Sequence, residues 1–448
     1  MPTLFGTDGI RNAVNVYPMT AEMVLSIGKG FGRFFADNGS ASIVIGKDTR
    51  LSGDMFEHAL AAGISASGMD VLMMGVIPTP GVAYAVRSLQ AAAGIVISAS
   101  HNPWTDNGIK VFDSKGFKLS ESLETSLEQM ILDDALPPTK TFPEQSGQIR
   151  YFHDADTGYR DFLIQSASED FSLKGIKIVL DCANGATAQV APDVFARLGA
   201  HVEILSAHPD GRNINDRCGS EQPSALAAHV QKTCAAVGFA FDGDGDRVVV
   251  CDETGTILTG DQAIAICARH FKESGRLRNN LVVTTVMSNM GLRSALRKLD
   301  IQHVAARVGD RHVMEAMKKN GSVLGGEDSG HLIFLDRHTT GDGILSALQI
   351  LDIMTSENQS LSDLKQIMTV FPQVLINVQV KAKPDIESLP GVLRTIQSVE
   401  SRLGKEGRVL VRYSGTQPLC RVMVEGPTLS QVQSFCQTIA DTIKNVIG

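Results

Sequence analysis

The stretch "GIVISASHNPWTDNGIK", residues 94–110, joins an apolar run to a dense set of small polar groups. Its first four residues are glycine, isoleucine, valine and isoleucine, which predicts a buried β-strand. Ser98, Ser100 and His101 follow at once, and Pro103 prevents an ordinary helix from beginning there. Two interpretations are open from this stretch alone: a turn capped by serine, or the polar end of an active site.

A serine beside a histidine is also found in hydrolases, but the Gly-x-Ser-x-Gly elbow is absent. If the backbone stays extended, adjacent side chains point to opposite faces, so His101 is expected to point away from Ser100. The other chemical alternative is a serine that carries a phosphate. Such a phosphoserine would offer oxygens to a cation and could donate its phosphoryl group.

Similar apolar runs recur along the chain and alternate with helix-like segments. Runs at 43–45, 176–181 and 281–286 are mainly apolar, and this alternation is typical of parallel sheets covered by helices on both faces. Runs at 374–380 and 408–412 predict strands of a smaller α+β unit. The sequence therefore predicts an α/β fold in which related α/β domains precede a smaller α+β domain.

The length of 448 residues corresponds to three or four domains of ordinary size. Boundaries are expected near residues 155, 255 and 368, where one round of strands and helices ends. The predicted domains are 1–154, 155–255, 256–368 and 369–448.

Composition excludes several classes of protein. Apolar residues make up 43% and charged residues 20% of the chain, as in an ordinary globular protein. The net charge of −8 comes without a long basic stripe, so no nucleic-acid partner is expected. Seven cysteines without a Cys-x-x-Cys pair predict reduced thiols in a cytoplasm. No signal peptide or membrane-spanning run is recognised, so no membrane partner is expected.

The stretch "FAFDGDGDR", residues 239–247, places three aspartates directly after an apolar run. Carboxylates this close repel each other, and a hard divalent cation with oxygen ligands removes that repulsion. Asp242, Asp244 and Asp246 are therefore candidate metal ligands. An EF-hand loop matches poorly because Arg247 stands where that loop requires glycine, and carboxylates would repel the pyrophosphate of a dinucleotide. A polar, solvated turn is the remaining alternative.

Two further stretches place polar groups on glycine-containing loops. "GGEDSGH", residues 325–331, suits a hydroxyl-rich ligand or is a plain turn. "RYSGTQPLCR", residues 412–421, combines hydroxyls and two arginines, which suits an anion, or is a hairpin turn with surface arginines. Together with the serine and the aspartates, these stretches predict phosphoryl transfer on a phosphorylated sugar.

The motifs Ser-His-Asn-Pro, Asp-Gly-Asp-Gly-Asp-Arg, Gly-Glu-x-Ser-Gly-His and Arg-x-Ser-Gly-Thr occur in this order. The set resembles the α-D-phosphohexomutase family over essentially the whole chain. The resemblance implies three α/β domains with mixed sheets and a C-terminal TATA-binding-protein-like α+β domain around a central cleft. It also implies one Mg²⁺ per subunit and a small-molecule phosphosugar substrate. A monomer or a homodimer is expected.

The resemblance also implies roles for individual residues. Ser100 is expected to be a catalytic phosphoserine that binds Mg²⁺ together with Asp242, Asp244 and Asp246. Lys110 is the first candidate for the general base. The other expected site residues are His101, Arg11 and Arg247 around the transferring group, Glu327 and Ser329 on sugar hydroxyls, His331 as the second candidate for the base, and Arg412, Ser414, Gly415, Thr416 and Arg421 on the non-reacting phosphate.

The stretches "FGTDGIRNAVN" (5–15) and "RVMVEG" (421–426) are most similar to family members that interconvert glucosamine 6-phosphate and glucosamine 1-phosphate. That resemblance implies glucosamine 1,6-bisphosphate as intermediate or activator, and a place in UDP-N-acetylglucosamine synthesis. Mannose or glucose phosphates are the nearest alternative substrates, and a non-catalytic phosphosugar-binding protein is a more remote alternative.

Two positions depart from the pattern of these members. Asp328 and Gln417 stand where many of them have glutamine and glutamate. Asp328 could attract the ammonium of an amino sugar, or its side chain could point away from the substrate. Loss of the glutamate charge at Gln417 is not expected to weaken phosphate binding. The departures leave fine specificity open and do not affect the expected class of reaction.

Overall fold

The computed structural model describes residues 4–6, 8–36, 42–132, 146–152, 155–404, 407–414 and 418–448. The chain divides into two compact units. The first contains Met1–Val286 and Ile301–Gln366, and the second contains Met287–Asp300 and Ile367–Gly448. In the part of the chain that the structure describes, no helix has the length and apolar character needed to cross a membrane.

The first part of the first unit is a mixed sheet of six strands with four helices. Its elements are β1 (Ile10–Ala13), α1 (Ala21–Phe35), β2 (Ser42–Lys47), α2 (Gly53–Ala66), β3 (Asp70–Val76), α3 (Thr79–Ser88), β4 (Ala93–Ile97), β5 (Asp106–Asp113), α4 (Glu121–Leu132) and β6 (Ile149–Tyr151). The strand order is β1-β5-β4-β2-β3-β6. Strands β2, β3, β4 and β6 are parallel, and β5 is antiparallel to both of its neighbours.

The next part forms a mixed sheet of five strands with three helices. Its elements are α5 (Ala155–Gln165), β7 (Lys177–Asp181), α6 (Thr187–Arg197), β8 (His201–Leu205), α7 (Ser224–Thr233), β9 (Val237–Phe241), β10 (Val248–Asp252) and β11 (Ile257–Leu258). The order is β11-β10-β9-β7-β8. Strand β7 is parallel to β8 and β9, whereas β10 is antiparallel to β9 and β11.

A third mixed sheet has four strands in the order β13-β12-β14-β15. The elements of this part of the chain are α8 (Gly260–Glu273), β12 (Leu281–Thr285), α9 (Met290–Lys298), β13 (Gln302–Ala306), α10 (Asp310–Asn320), β14 (Leu324–Gly326), β15 (Leu332–Phe334), α11 (Gly343–Glu357) and α12 (Leu361–Leu364). Strand β12 is parallel to β13 and β14, and β15 is antiparallel to β14.

These three sheets repeat one strand pattern. In each, the first strand pairs in parallel with the second and the third, and a fourth strand lies antiparallel beside the third: β3-β2-β4-β5, β8-β7-β9-β10 and β13-β12-β14-β15. Three of the polar stretches therefore lie at equivalent positions, between the third and fourth strands, at residues 98–105, 242–247 and 327–331. The prediction of three related α/β domains with mixed sheets is confirmed.

Helix α1 shows how the sequence specifies one of these elements. Thr20 caps its N-terminus by accepting a hydrogen bond from the N–H of Met23. Val24, Ile27 and Phe31, which share one face by their spacing, are fully buried. Each such side chain contributes roughly 1.5–3 kcal/mol when it is buried. The apolar face therefore decides how the helix packs.

The second unit contains the antiparallel sheet β16-β18-β17 with two further helices. Its elements are β16 (Gln373–Gln379), α13 (Pro390–Leu403), β17 (Arg408–Tyr413), β18 (Leu419–Glu425) and α14 (Leu429–Ile447). Helix α9 belongs to this unit, since the buried Glu425 accepts hydrogen bonds from the N–H of Met290 at 2.5 Å and from Arg408 Nε at 2.7 Å. The predicted α+β character of the C-terminal part is confirmed.

Candidate active site

Ser100 lies between β4 and β5 with a left-handed backbone conformation. Its φ is +53°, a value that only a few per cent of non-glycine residues adopt. Its hydroxyl donates to Asp242 Oδ2 at 2.6 Å, and its N–H donates to Ser98 Oγ at 2.9 Å. The chain turns sharply at Ser100, and this turn brings the serine onto the aspartates of the next domain.

The same turn corrects the expectation that His101 points away from Ser100, because the backbone is not extended there. His101 Nδ1 lies 3.4 Å from Ser100 Oγ and 3.2 Å from Arg247 Nη1. Burial and the Arg247 guanidinium lower the pKa of His101, so the neutral imidazole accepts a hydrogen bond from Arg247 Nη1. Arg11 Nη1 donates to Asn102 Oδ1 at 3.4 Å. Two guanidinium groups and an imidazole are therefore associated with the serine loop, which is the connection 98–105 between β4 and β5.

Asp242, Asp244 and Asp246 project from the connection between β9 and β10. All three are buried, and each offers a ligand oxygen that lies within 4.8 Å of the other two. Gly245, between the last two, has a φ of +73°, which glycine adopts at little cost. Lys110 Nζ donates to Asp244 Oδ2 at 2.7 Å and to Asp246 Oδ2 at 3.1 Å. A lysine thus neutralises part of the carboxylate cluster.

Charge is distributed unevenly in this cluster. Burial, together with Asp246 and Asp244, raises the pKa of Asp242 well above its ordinary value. Burial acts the same way on Asp246, but Lys110 and His331 outweigh it and hold the pKa of Asp246 well below its ordinary value. Burial disfavours the Lys110 ammonium, yet the carboxylates of Asp244 and Asp246 hold its pKa well above the usual range. Lys110 is therefore a cation in this arrangement.

The carboxylate set fits a hard divalent cation. Asp244 Oδ1 and Asp246 Oδ1 are buried and have no hydrogen-bond partner among the described residues. An unpartnered buried oxygen is costly, and carboxylate oxygens are the ligands that Mg²⁺ takes in proteins. Asp242, Asp244 and Asp246 could therefore hold a metal ion.

His331, in the stretch 325–331, lies beside the metal loop, which is the connection 242–247 with the three candidate metal ligands. Its Nδ1 lies 3.8 Å from Asp246 Oδ1, and its Nε2 lies 3.7 Å from Asp310 Oδ2. Burial disfavours the charged imidazole, but these carboxylates raise the pKa of His331 above its ordinary value. The ring is only 3% exposed. His331 thus lies between two carboxylates beside the candidate metal ligands.

The turn before His331 is more open. Ser329 is exposed, and Glu327 is partly buried, with its Oε1 accepting from the N–H of Gly309 at 2.9 Å. Asp328 is exposed, but its Oδ1 accepts from the N–H of Asp261 at 3.1 Å. That bond lies in the first turn of α8, where a carboxylate is favourable. Asp328 therefore has a structural role within its own domain.

In the second unit, Arg412 and Arg421 occupy facing positions on β17 and β18, so their side chains share one face of the sheet. Burial and the Arg421 charge lower the pKa of Arg412. Ser414 directly follows β17, and its carbonyl accepts a hydrogen bond from Lys383 Nζ at 2.6 Å. Two guanidinium groups on facing positions repel each other, and an anion would stabilise the pair. Gly415 and Thr416, also expected at this site, lie outside the described residues.

Sequence reasoning did not single out several residues that support the site. Thr79 Oγ1 donates to Asp244 Oδ2 at 2.5 Å, and Asp48 Oδ2 accepts from Ser98 Oγ at 2.6 Å. A signal existed for Asp48, because polar residues directly follow the apolar run of β2. No comparable signal exists for Thr79, which reaches the aspartate only through tertiary folding. The missed residues near the site are Asp48, Arg50, Thr79, Asn215 and Lys383.

Comparison with known families covers nearly the whole chain. Sequence models of phosphoglucomutase/phosphomannomutase match domain by domain. Alpha/beta/alpha domain I matches residues 2–136, domain II 157–255, domain III 259–371 and the C-terminal domain 375–442.

Full-length relatives share about half of their residues with this chain. A phosphoglucosamine mutase of Syntrophus aciditrophicus (strain SB) is 55% identical over 449 residues, which is 100% of each chain. A phosphoglucosamine mutase of Syntrophobacter fumaroxidans is 50% identical over 453 residues, again 100% of each.

Solved structures share the fold at lower identity. A phosphoglucomutase/phosphomannomutase family protein from Burkholderia thailandensis has a TM-score of 0.81 at 24% identity, over 99% of this chain and 97% of that chain. An N-acetylphosphoglucosamine mutase from Aspergillus fumigatus, in complex with GlcNAc-6P and magnesium, has a TM-score of 0.69 at 17% identity, over 99% and 96%. At these identities the likeness shows the fold alone.

Proposed function

This chain belongs to the phosphoglucomutase/phosphomannomutase family, and on that premise we propose that it catalyses the phosphoglucosamine mutase reaction. That reaction interconverts glucosamine 6-phosphate and glucosamine 1-phosphate. The structural observation that carries the proposal is the 2.6 Å bond from Ser100 Oγ to Asp242 Oδ2, within a buried set of three aspartates. A serine in that place lies within the charges that phosphoryl transfer uses.

Ser100 carries the transferred phosphoryl group in this proposal. The bond from phosphorus to Ser100 Oγ breaks, and a new bond forms to the free hydroxyl of the substrate. The hydroxyl proton passes to a base, and a proton returns to Ser100 Oγ. The resulting glucosamine 1,6-bisphosphate reverses its orientation in the site. It then gives its other phosphoryl group back to Ser100 by the same exchange.

Other residues bind, orient and neutralise. Asp242, Asp244 and Asp246, with a phosphate oxygen of Ser100, would hold one Mg²⁺, which supplies charge stabilisation when bound. The expected sugar contacts are Glu327 and Ser329, and the expected contacts of the non-reacting phosphate are Arg412, Ser414, Gly415, Thr416 and Arg421. The expected positive charges near the transferring group are Arg11 and Arg247, with His101 beside them.

Lys110 and His331 are the candidate bases, and their environments differ. Lys110 is held as an ammonium by Asp244 and Asp246. It can accept a proton only when those carboxylate charges are engaged elsewhere. His331, whose pKa is raised from a value near neutrality, can carry a proton at physiological pH. Lys110 remains the first candidate for the base. The pH dependence of kcat in variants of Lys110 and of His331 would distinguish the two candidates.

A comparison of substrates tests the proposed reaction. Turnover of glucosamine 6-phosphate, mannose 6-phosphate and glucose 1-phosphate is measured with Mg²⁺ and the matching 1,6-bisphosphate present. We expect the highest kcat/KM for glucosamine 6-phosphate. A higher value for either of the other two sugars would assign the protein to the alternative activity in its family.

A second experiment separates an enzyme from a phosphosugar-binding protein. Intact-mass spectrometry should detect a fraction of the protein heavier by one phosphate, and Ser100→Ala should lose that species. The same substitution should lower kcat at least 1000-fold, because the phosphoryl carrier is gone. Ser88→Ala, at the exposed end of α3, is the matched control. Unchanged mutase turnover in Ser100→Ala would refute the mechanism.

The proposal extends to the cellular setting. All seven cysteines are free, and six of them are buried, which fits a reducing compartment such as the cytoplasm. The product glucosamine 1-phosphate would enter UDP-N-acetylglucosamine synthesis. This pathway is proposed because relatives that share about half of their residues with this chain carry the phosphoglucosamine mutase name.

A further inference from the structure

Four backbone carbonyl groups, three in the serine loop and one at the start of β5, converge on one buried arginine. Arg50 lies just after β2, and its side chain has no exposed surface. Its hydrogen bonds run from Nε to Asp48 Oδ2 at 2.8 Å, from Nη1 to the carbonyls of Pro103 and Asp106 (the latter at 3.0 Å), and from Nη2 to the carbonyls of Ser100 at 2.9 Å and Asn102 at 2.8 Å. A guanidinium has five N–H donors, and the number of acceptors here matches it.

A second donor from another domain binds two of the same carbonyls. Asn215 Nδ2 lies 2.9 Å from the Ser100 carbonyl and 3.1 Å from the Asn102 carbonyl. The Ser100 carbonyl also lies against the metal loop, since a Cβ added at Gly243 would come within 2.7 Å of it. The peptide group that follows Ser100 is therefore fixed from two sides.

Asp48 fixes the peptide group that precedes Ser100. It is 1% exposed and accepts from Arg50 Nε and from Ser98 Oγ, the latter at 2.6 Å. Ser98 Oγ in turn accepts the N–H of Ser100 at 2.9 Å. One buried ion pair, Asp48 with Arg50, thus holds both peptide groups that set the φ and ψ of Ser100.

We propose that Asp48, Arg50 and Asn215 are positioning residues that hold Ser100 in its left-handed conformation and so direct its Oγ at the metal loop. A serine at φ +53° returns to the common backbone regions unless its surroundings prevent it. Relaxation of that turn would rotate Oγ away from Asp242. The inference rests on the proposed function, since it assigns these residues to the transfer that Ser100 performs.

Arg50→Lys tests the inference because lysine keeps the charge but has three donors on a single nitrogen in place of a planar fork. We expect kcat for glucosamine 6-phosphate to fall about 100-fold, the scale of an ångström misplacement of a reacting group. KM should stay within about twofold, because Arg50 touches none of the expected substrate contacts. Arg276→Lys is the matched control: Arg276 binds Gln349 and Asp336, away from the serine loop, and its loss should leave kcat within about twofold.

Chemical rescue distinguishes positioning from general loss of structure. Added guanidinium should restore several-fold activity to Arg50→Ala at concentrations that leave its melting temperature unchanged, and should not affect Arg276→Ala. If Arg50→Lys does not fold, Asn215→Ala carries the kinetic test, with an expected loss in kcat of about tenfold.

The outcomes separate this inference from the function beneath it. If Ser100→Ala is inactive while a folded Arg50→Lys keeps wild-type kcat, the positioning role is refuted and the mutase proposal survives. Absence of guanidinium rescue also overturns the positioning role. If Ser100→Ala retains turnover, the proposed function itself fails.

Discussion

His338 is a neutral histidine held in a fully buried position of the third domain. Its Nε2 donates to the Pro80 carbonyl at 3.0 Å, and its Nδ1 accepts from the N–H of Thr339 at 2.8 Å. Burial lowers the pKa of His338 to about 4. An unfolded histidine binds a proton near pH 6.5, so the folded state binds fewer protons between these values. Stability from His338 is present above pH 6.5 and is lost as pH falls toward 4, by on the order of 3 kcal/mol.

We expect His338→Gln to flatten this part of the pH profile. The free energy of unfolding in urea, measured between pH 6.5 and pH 4.5, should decrease less steeply in the variant than in the wild type. His201→Gln is the control, since its side chain is 68% exposed. Parallel profiles for His338→Gln and the wild type would contradict the burial argument.

Asp328 offers a second test at single-residue resolution. Asparagine at this position keeps an oxygen for the N–H of Asp261 but removes the charge. Because the structure gives Asp328 a helix-end role, Asp328→Asn should leave the ratio of kcat/KM for glucosamine 6-phosphate to that for glucose 6-phosphate within about twofold. A decrease in kcat/KM for glucosamine 6-phosphate alone would show that Asp328 recognises the ammonium group of the amino sugar.

Residue type and spacing made the chemical groups predictable. Three aspartates directly after an apolar strand predict a cation site, because their charges would otherwise repel each other. Ser100 was recognised because polar residues surround it at the end of an apolar run. Arg50 and Asn215 could not be recognised in this way, because the loop atoms that they bind are backbone carbonyls that come close only after folding. The pKa order of Asp242 and Asp246 was hidden for the same reason, since it depends on burial and on Lys110.

At the level of elements, strand β5 must approach its neighbours closely at Gly108. A Cβ there would lie 2.7 Å from the Ser98 carbonyl and 2.8 Å from the Ile10 carbonyl, both backbone atoms. Gly108→Ala should therefore push β5 from β1 or from the serine loop, costing roughly 1–3 kcal/mol of stability and lowering kcat. Thermal unfolding and steady-state kinetics check this expectation.

Gly391→Ala is the matched control for that substitution. A Cβ at Gly391 meets no described atom within 4 Å, and the residue lies in the first turn of α13. Alanine is the better helix former, so this variant should be at least as stable as the wild type. If Gly108→Ala were equally harmless, the close approach of β5 would have no energetic consequence.

The central strands could be predicted from apolar runs, because a strand that is buried on both faces of a sheet consists mainly of apolar residues. The predicted runs 43–45, 176–181 and 281–286 correspond to β2, β7 and β12. Strand β1, with the sequence IRNA, carries no such run and exists because β5 pairs with it. Edge strands of this kind depend on a neighbour that the local sequence does not reveal.

For the molecule as a whole, the candidate cation site makes a prediction about stability. A ligand that binds only the folded state contributes about 2.7 kcal/mol at 100 times its dissociation constant. Mg²⁺ should therefore raise the melting temperature of the unphosphorylated protein, and EDTA should reverse the rise. Asp244→Ala should abolish the increment, whereas Asp216→Asn, at an exposed position, should keep it. An equal increment in Asp244→Ala would remove this aspartate from the cation site.

The two compact units do not follow the order of the chain, because each combines two separate segments. Segment 287–300 lies within the third predicted domain along the chain, yet it groups with the C-terminal sheet. Asn289 exchanges two hydrogen bonds with the backbone of Phe371, both at 3.0 Å. The Asn289 side chain bonds the backbone of a residue 82 positions away, so no local sequence pattern signals this pairing. The separate domain boundaries near 155, 255 and 368 remain predictions.

The equivalent placement of the three polar connections, residues 98–105, 242–247 and 327–331, has an evolutionary consequence. One four-strand unit occurs three times, and each copy offers the connection between its third and fourth strands for chemistry. Duplication of an ancestral unit followed by divergence of a single connection would produce this arrangement. The three tasks would then be variants of one inherited position, and the strands that frame each loop could be kept while its residues changed.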